Sequence, residues 1–214
     1  MESGKKGRFI TLEGIEGVGK STHMATVHRF LQAQGIDCVI TREPGGTAIG
    51  EDIRRLLLGH KHHNMNDRCE LLLMFAARAQ HLAEVIIPAL NRGQWVLCDR
   101  FTDATYAYQG GGRGVPESDI AALENWVHGD RQPDITLLLD ADVSIGMQRI
   151  KQRSEADRFE SETLQFFERV RANYLQRAAM HAARITIIDA AKPLAEVESA
   201  LQEQLTAYLA RCQQ

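Results

Sequence analysis

The sequence predicts an α/β fold in which helices flank a five-stranded parallel sheet. Short β-prone runs alternate with longer helical stretches along the chain, and this alternation is typical of parallel sheets. One run, residues 135–139, is almost wholly apolar, as expected of a strand that is covered on both faces. The length of 214 residues, 44% of them hydrophobic, suits a single domain with a sizeable core.

Strand-like and helical stretches alternate from residue 9 to residue 209. Five runs rich in Val, Ile and Leu predict strands at 9–12, 38–41, 95–98, 135–139 and 185–188. The longer stretches predict helices at 20–34, 49–58, 69–91 with an interruption near Pro88, 102–108, 116–128, 143–152, 164–184 and 193–209. We expect the polar segment 59–67 to be a loop and the glycine-rich segment 110–114 to be a flexible joint.

A phosphate-binding pattern lies between the first strand and the first helix. Residues 14–22 fit G-x-x-x-x-G-K-[ST], and an anion bound there would sit at a helix N-terminus. The glycines allow a tight turn whose N–H groups face phosphate oxygens. Lys20 would bind the β- and γ-phosphates, and the Ser21 hydroxyl can ligate Mg²⁺. The predicted ATP-binding residues are Gly14, Ile15, Glu16, Gly17, Val18, Gly19, Lys20, Ser21 and Thr22.

Charged residues also follow two other predicted strands. Ligands of an open parallel sheet bind beyond the carboxyl ends of its strands. Asp99 directly follows one strand and could hold Mg²⁺, and the adjacent Arg100 could bind a phosphate through two N–H groups. Arg42 begins a glycine-containing loop at the same edge, so Arg42 and Arg100 could both face an acceptor phosphate. A surface ion pair at a strand end is the alternative for Asp99 and Arg100.

A second group of residues suggests a nucleobase pocket. Phe75 and Arg78 are three residues apart on one predicted helix, so they share a face. A ring that stacks on a base and a guanidinium that binds its edge would suit such a pocket, although a Phe on a helix is often a core residue. Thr105, Tyr108 and Gln109 offer hydroxyl and amide groups that could contact a base or cap local backbone.

Composition argues against nucleic-acid binding, a membrane span and a histidine metal site. The net charge of −3 offers no broad basic surface for nucleic acid. We find no apolar run near the length of a membrane span, and residues 1–7 are expected to form a frayed tail. The four cysteines form no C-x-x-C pair and are expected to be reduced, as in a cytoplasm. His60, His62 and His63 could suggest a metal, but a solvated loop explains them better.

The chain as a whole resembles the bacterial thymidylate kinases. The matching segments stand in the family's order at 14–22, 41–47, 71–80, 99–101, 107–114 and 157–159. The resemblance implies a P-loop nucleoside monophosphate kinase fold with a lid at about 149–160. It implies transfer of the γ-phosphoryl group of ATP to dTMP with Mg²⁺, giving dTDP for the dTTP pathway of DNA synthesis. A cytoplasmic homodimer is implied as well.

The resemblance assigns roles at the phosphate end of the site. Lys20 and the loop amides would hold ATP, with Ser21 near the metal. Asp99 would be tied to the metal and its waters. Glu16 would lie close to the acceptor nucleotide, whose phosphate would be bound by Arg42 and Arg100.

At the base end, the resemblance implies that Arg78 binds the thymine edge. Thr105 and Gln109 would also contact the base, and Tyr108 would lie beneath the sugar. The family's stacking Phe commonly stands four residues before the Arg, a place that Met74 takes here, whereas Phe75 stands three before. Stacking by Phe75 and a softer platform from Met74 both stay open.

Three arginines near the lid form the last predicted cluster. Arg149 and Arg153 are four apart and share a helix face, and Arg158 follows the lid tip. Some family members carry an Arg beside the acid of the phosphate loop, but here Gly17 follows Glu16. The resemblance therefore implies the variant in which a basic lid supplies positive charge to the migrating phosphoryl group. A solvated charged helix is the alternative.

Two other functions stay open at this point. A kinase for a purine or cytidine monophosphate would differ only in the base pocket, and Arg78, Thr105 and Gln109 favour a pyrimidine with oxygen at position 4. A nucleotide-dependent switch or interaction module fits less well. The chain has no N-K-x-D run for reading guanine, and a switch has no use for Arg42 and Arg100.

Overall fold

The computed structural model of the chain describes residues 7–59, 61, 64–151 and 157–212. The strands in these ranges are β1 (Phe9–Glu13), β2 (Cys38–Arg42), β3 (Trp95–Asp99), β4 (Ile135–Asp140) and β5 (Ile185–Asp189). The α-helices are α1 (Lys20–Ala33), α2 (Ala48–Leu58), α3 (Asp67–His81), α4 (Ile87–Asn91), α5 (Thr102–Thr105), α6 (Glu117–Val127), α7 (Val143–Lys151), α8 (Leu164–Met180) and α9 (Leu194–Cys212). Two π-helical segments are Leu82–Ile86 and Tyr106–Gly112.

The five strands form one parallel sheet in the order β2-β3-β1-β4-β5, so the predicted α/β fold is confirmed. Asp99 of β3 lies opposite Arg42 of β2 on one side and Leu12 of β1 on the other. The carboxyl ends of these strands therefore meet at one edge. The residues that follow them, including the phosphate loop and Arg100, are brought together there.

Helices cover both faces of the sheet. Ile10 and Leu12 of β1 belong to a large apolar cluster that includes residues of α1, α8 and α9. Phe9 belongs to a second cluster with Ile86 and Cys98. Because successive side chains of a strand point to opposite faces, one short strand contributes to both clusters.

The helical stretch around Pro88 is continuous from Asp67 to Asn91, so the predicted interruption near Pro88 is wrong. A proline inside a helix lacks an N–H and its ring clashes with the carbonyl four residues earlier. Here the π-helical segment Leu82–Ile86 immediately precedes α4, and Pro88 lies in the first turn of α4. The π-helical bonding pattern accommodates the proline without ending the helix.

This continuous stretch is long and apolar enough, by length and composition alone, to cross a membrane. The expectation of no apolar run near the length of a membrane span did not identify this stretch, because charged residues divide its apolar runs. Glu70, Arg78 and His81 lie within the stretch, are almost completely buried and are hydrogen-bonded to polar side chains of the same protein. These features are those of a core helix in a folded domain.

The glycines at 110–112 are helical rather than a flexible joint. They end the π-helical segment Tyr106–Gly112, which packs against α8. A Cβ atom on Gly112 would lie 2.5 Å from the ring of Phe166, and one on Gly111 would lie 2.8 Å from Asn173 Cβ. These glycines therefore allow close helix packing, which positions the preceding residues Tyr108 and Gln109.

Candidate active site

A cavity of about 200 Å³ opens at the carboxyl edge of the sheet. Its walls come from the phosphate loop, the β2–α2 loop, α2, α3, the end of β3, the segment after β3 and residues 157–160. The predicted site residues that line it are Glu16, Gly17, Gly19, Lys20, Ser21, Arg78, Asp99, Arg100, Thr105, Tyr108 and Gln109. Residues predicted from four separate sequence segments thus share one cavity.

The phosphate loop has the conformation that its glycines predict. Gly14, Gly17 and Gly19 all have positive φ, and a Cβ on Gly17 would lie 2.2 Å from the carbonyl oxygen of Gly146. Ile15 and Val18 are buried in the core, so their contribution to a bound phosphate is limited to their backbone. Thr22, the last residue of the pattern, is exposed at the start of α1 and lies outside the cavity lining.

Lys20 is buried at the start of α1. Its Nζ donates to the carbonyl oxygens of Gly14 and Ile15, at 2.9 and 2.8 Å. Burial, together with the nearby charge of Arg100, lowers the pKa of Lys20 from 10.5 to about 8. An anion beside this ammonium would favour its charged form, so phosphate binding and protonation of Lys20 are coupled.

Arg100 links β3 to the phosphate loop. Its Nη1 donates to the Gly14 carbonyl oxygen at 3.0 Å and its Nη2 to Glu16 at 2.8 Å. The guanidinium lies 4.7 Å from the centre of the Tyr108 ring, and the Tyr108 hydroxyl donates to the other Glu16 oxygen. Arg100 has a φ of 72°, a left-handed backbone conformation that is uncommon for residues other than glycine and is enriched at functional sites.

A buried carboxylate that the sequence prediction missed stabilises the residues that follow β3. Glu13, the last residue of β1, accepts from the Phe101 backbone N–H at 2.7 Å and from the Tyr174 hydroxyl at 2.8 Å. That hydroxyl also accepts from Arg100 Nη1 at 3.3 Å. Burial, together with the charge of Asp103, raises the pKa of Glu13 to about 8.

Asp99 and Ser21 fit a metal-binding role. Asp99 Oδ1 is buried and has no hydrogen-bond partner among the described residues, which is costly for a carboxylate oxygen unless a ligand or water binds it. Ser21 lines the same cavity and has an exposed side chain. Carboxylate and hydroxyl oxygens are ligands that Mg²⁺ prefers, so this pair matches the predicted donor set.

Arg78 of α3 lines the same cavity and is almost completely buried. Its Nε donates to Glu43 at 2.7 Å, and its Nη2 donates to Thr105 Oγ1 at 3.0 Å. Its Nη1 has no hydrogen-bond partner within the described ranges. Burial would raise the pKa of Glu43, but the charge of Arg78 and the hydrogen bond from His81 outweigh it and lower that pKa. Arg78 is thus held at Nε and Nη2, while the N–H groups of Nη1 have no partner among the described residues.

Met74 lines the cavity, whereas Phe75 is 2% exposed and packs in an apolar cluster with Leu71 and Ile120. Phe75 lies beneath Arg78, whose guanidinium carbon is 4.8 Å from the ring centre. Phe101 supports the guanidinium as well, at 5.0 Å. The predicted stacking ring therefore contacts Arg78 rather than the cavity.

Gln109 lines the cavity and is 1% exposed. Its Nε2 donates to Glu70 at 2.8 Å. Glu70 is a residue that the sequence prediction did not include, because its partners come from distant segments. Arg113 and Arg158 bind the same carboxylate.

The two arginines of the β2–α2 region differ in position. Arg42 is about half exposed, donates to Glu51 at 2.9 Å and lies outside the cavity lining. Arg54 of α2 lines the cavity, and its Nη1 donates to the Pro44 carbonyl oxygen at 2.8 Å. Sequence reasoning missed Arg54 because it lies inside the predicted helix 49–58 with no motif around it. Burial, together with the charges of Arg42 and Arg100, lowers the pKa of Arg54, so the three guanidiniums lie near one another.

The two predicted lid arginines that the structure describes, Arg149 and Arg158, contact different elements. Arg149 Nη1 lies 3.4 Å from the carbonyl oxygens of Gly17 and Ala190, beside the phosphate loop. Arg158 is instead buried against α2 and α3, where it donates to the Leu57 carbonyl oxygen and to Glu70. The expectation that Arg158 belongs with Arg149 is therefore wrong.

Several predicted positions lie outside the described residues. They are Arg153 and the lid tip 154–156, His60, His62 and His63, and most of the N-terminal tail 1–7. Within the ranges that the structure describes, no group of three or more His, Cys, Asp or Glu residues could hold a metal ion by itself. The Asp99 and Ser21 pair would need ligands from a bound nucleotide or water.

Comparisons with known proteins agree on one family. A family model described as "Thymidylate kinase" matches residues 12–201. Curated proteins named "Thymidylate kinase" include one from Teredinibacter turnerae, 55% identical over 95% of this chain and 99% of its own length. The one from Nitrosomonas europaea is 54% identical over 93% of this chain and 92% of its length, and the one from Pseudomonas entomophila is 56% identical over 96% and 98%. The chain therefore belongs to the thymidylate kinase family.

Proposed function

We propose that this protein transfers the γ-phosphoryl group of ATP to dTMP, giving dTDP for the dTTP pathway of DNA synthesis. Membership in the thymidylate kinase family supports this activity. The observation that carries it is one cavity lined by the phosphate loop, by Arg54 and Arg100, and by the buried Arg78, whose Nη1 has no partner among the described residues.

The acceptor base would bind at the Arg78 end of the cavity. Arg78 Nη1 has no partner among the described residues, so it is available to donate to a base oxygen. Gln109 and Thr105 line the same region and would contact the base as well. Met74, which lines the cavity, would pack against the base, while the Phe75 ring packs against the Arg78 guanidinium. A pyrimidine with oxygen at position 4 satisfies the free donor.

The acceptor phosphate would bind near Arg100. Arg54 and Arg100 line the cavity, and Arg42 lies beside it at the end of β2. Tyr108 would lie beneath the sugar, and Glu16, which orients Arg100 and Tyr108, would lie close to the acceptor. Guanidinium groups that bind the acceptor phosphate offset its repulsion by the incoming phosphoryl group.

The ATP phosphates would bind the phosphate loop and Lys20, with Ser21 and Asp99 directed to Mg²⁺. The metal would neutralise charge on the β- and γ-phosphates. The protein's part is to hold the two nucleotides in line and to exclude water. Little covalent chemistry is required of its side chains.

The positive charge for the migrating phosphoryl group would come from the lid at about 149–160. Gly17 follows Glu16, so the phosphate loop carries no arginine next to its acid. Arg149 lies beside the loop at Gly17, and Arg153 follows on the same predicted helix face. We assign one of these two arginines to the transferring group. The family also suggests a cytoplasmic homodimer.

A substrate panel tests the proposal. In a coupled assay with ATP and Mg²⁺, we expect dTMP to give the highest kcat/KM among dTMP, dUMP, dCMP, dGMP and dAMP. A Lys20→Ala variant serves as a control, since it should lose activity if the phosphate loop of this chain is responsible. A clear preference for dCMP or a purine nucleotide would replace the proposed acceptor, and binding of ATP without turnover of any acceptor would favour a switch.

A further inference from the structure

Glu70 of α3 is completely buried and contacts the base-binding end of the cavity through Gln109. Its Oε1 accepts from Gln109 Nε2 at 2.8 Å and from Arg113 Nε at 3.3 Å. Its Oε2 accepts from Arg158 Nη2. Two guanidiniums therefore compensate the charge of Glu70 in the protein interior, and an ionised carboxylate with such partners acts only as an acceptor.

An acceptor in this position determines how the Gln109 amide is oriented. A glutamine side chain carries an NH₂ donor on one side and an oxygen acceptor on the other. Since Glu70 only accepts, the NH₂ group of Gln109 must face Glu70. The Gln109 oxygen has no hydrogen bond among the described residues, and Gln109 lines the cavity. The reversed amide would place two acceptor oxygens against each other.

We propose that Glu70 is a positioning residue that determines base specificity: it holds the Gln109 amide with its oxygen toward the cavity. The inference rests on the proposed function. Arg78 Nη1 then supplies a donor and Gln109 supplies an acceptor. Thymine presents the complement, with an acceptor at O4 and a donor at N3–H. Cytosine presents a donor at its amino group and an acceptor at N3, so both contacts would be mismatched.

A purely structural role for Glu70 would be to neutralise the buried arginines. Glu162 provides a matched control, because it accepts from Arg113 Nη1 at 2.5 Å and has no contact with Gln109 among the described residues. Replacing either acid by glutamine removes one carboxylate from the Arg113 environment. Only the change at Glu70 alters the partner of the Gln109 amide.

The test compares Glu70→Gln with Glu162→Gln and the unmodified protein. The amide introduced by Glu70→Gln can donate as well as accept, so the Gln109 amide becomes free to reverse. The probes are dTMP and 5-methyl-dCMP, which carry the same methyl group and differ at positions 3 and 4. We expect the ratio of their kcat/KM values to fall about tenfold in Glu70→Gln, the effect of one net hydrogen bond. The ratio should be unchanged in Glu162→Gln, and the KM for ATP unchanged in both.

An unchanged ratio in a folded Glu70→Gln variant, or an equal fall in Glu162→Gln, would overturn the assignment while leaving the proposed function intact. Failure of the unmodified protein to phosphorylate dTMP would refute the proposed function itself. A second measurement needs no variant. In the unmodified protein, the N3 imino proton of bound dTMP should be protected from solvent exchange in an NMR spectrum, because Gln109 accepts it. Exchange at the rate of free dTMP would overturn the proposal.

Discussion

The guanidinium of Arg100 lies 2.8 Å from the carboxylate of Glu16. This contact ties the residue after β3 to the phosphate loop after β1, and it is reinforced by the 3.0 Å hydrogen bond from Arg100 to the Gly14 carbonyl oxygen. The side chain that would bind the acceptor phosphate is therefore held by the loop that would bind ATP. A substitution of Arg100 should therefore weaken binding of the acceptor nucleotide while ATP binding is retained.

We predict that Arg100→Ala raises the Kd for dTMP by roughly 10- to 100-fold, the effect of losing a charge-assisted hydrogen bond, while ATP still binds. Arg100 already has a φ of 72°, so alanine adds little new backbone strain. Calorimetric titrations of each nucleotide measure the two affinities. Arg92→Ala, at an exposed arginine before β3, is the control and should change neither. Weaker ATP binding with normal dTMP binding would contradict the assignment of Arg100.

A second prediction concerns Asp99. Its Oδ1 is buried and unpartnered among the described residues, so Asp99→Asn should leave the fold intact. It should lower kcat by about 100-fold or more, because weaker binding of Mg²⁺ leaves less positive charge at the transferring phosphoryl group. It should also raise the Mg²⁺ concentration that gives half-maximal rate. Asp140→Asn is a suitable comparison, because Asp140 ends β4 at the same edge but its two oxygens bind Arg171. An Asp99→Asn variant with normal rate and normal Mg²⁺ dependence would disprove the metal role.

The lid arginines provide a third prediction. Arg149→Ala and Arg153→Ala should lower kcat far more than they raise the KM for dTMP. The arginine that contacts the migrating group should show a loss of about 10³-fold or more. Arg29→Ala, at an arginine of α1 whose side chain is 70% exposed, should have normal kinetics. Steady-state rates at saturating ATP check these values, and a normal kcat in both lid variants would refute the assignment of the charge on the migrating group to a lid arginine.

Sequence analysis found the residues whose chemical role can be recognised within one short contiguous segment. Gly14 to Ser21 form one local pattern, and Asp99 and Arg100 directly follow an apolar strand. Because parallel strands align their carboxyl ends, strand order alone predicts that these segments meet. The five strands were also found correctly, with their ends displaced by about one residue, as is usual for element boundaries.

The residues that it missed act through distant partners. Glu13 accepts from residues 88 and 161 positions away, and Glu70 accepts from Arg158, 88 positions away. No spacing rule reports such contacts, because they depend on how helices pack on the sheet. The same limit explains why Arg158 was grouped with Arg149: proximity in sequence to the lid said nothing about its burial against α2.

The raised pKa of Glu13 leads to a prediction about stability. In the folded protein the pKa is about 8, compared with an ordinary value of 4.5, because of burial and the charge of Asp103. Between these values the folded protein holds a proton that the unfolded chain releases. Stability must therefore fall as pH rises through this window and level off above about pH 8.

Glu13→Gln removes this titration. From pH 5 to 8.5 the free energy of unfolding of the unmodified protein should fall relative to that of the variant by ~1–3 kcal/mol, since one unit of pKa shift corresponds to about 1.4 kcal/mol and such shifts are partly relaxed. Urea unfolding at a series of pH values measures the difference, in which the other titrating groups cancel. Glu203→Gln, at an exposed position of α9, should give a curve parallel to that of the unmodified protein. A parallel curve for Glu13→Gln as well would mean that Glu13 is ionised throughout this range and that its hydrogen bonds from Phe101 and Tyr174 fully offset its burial.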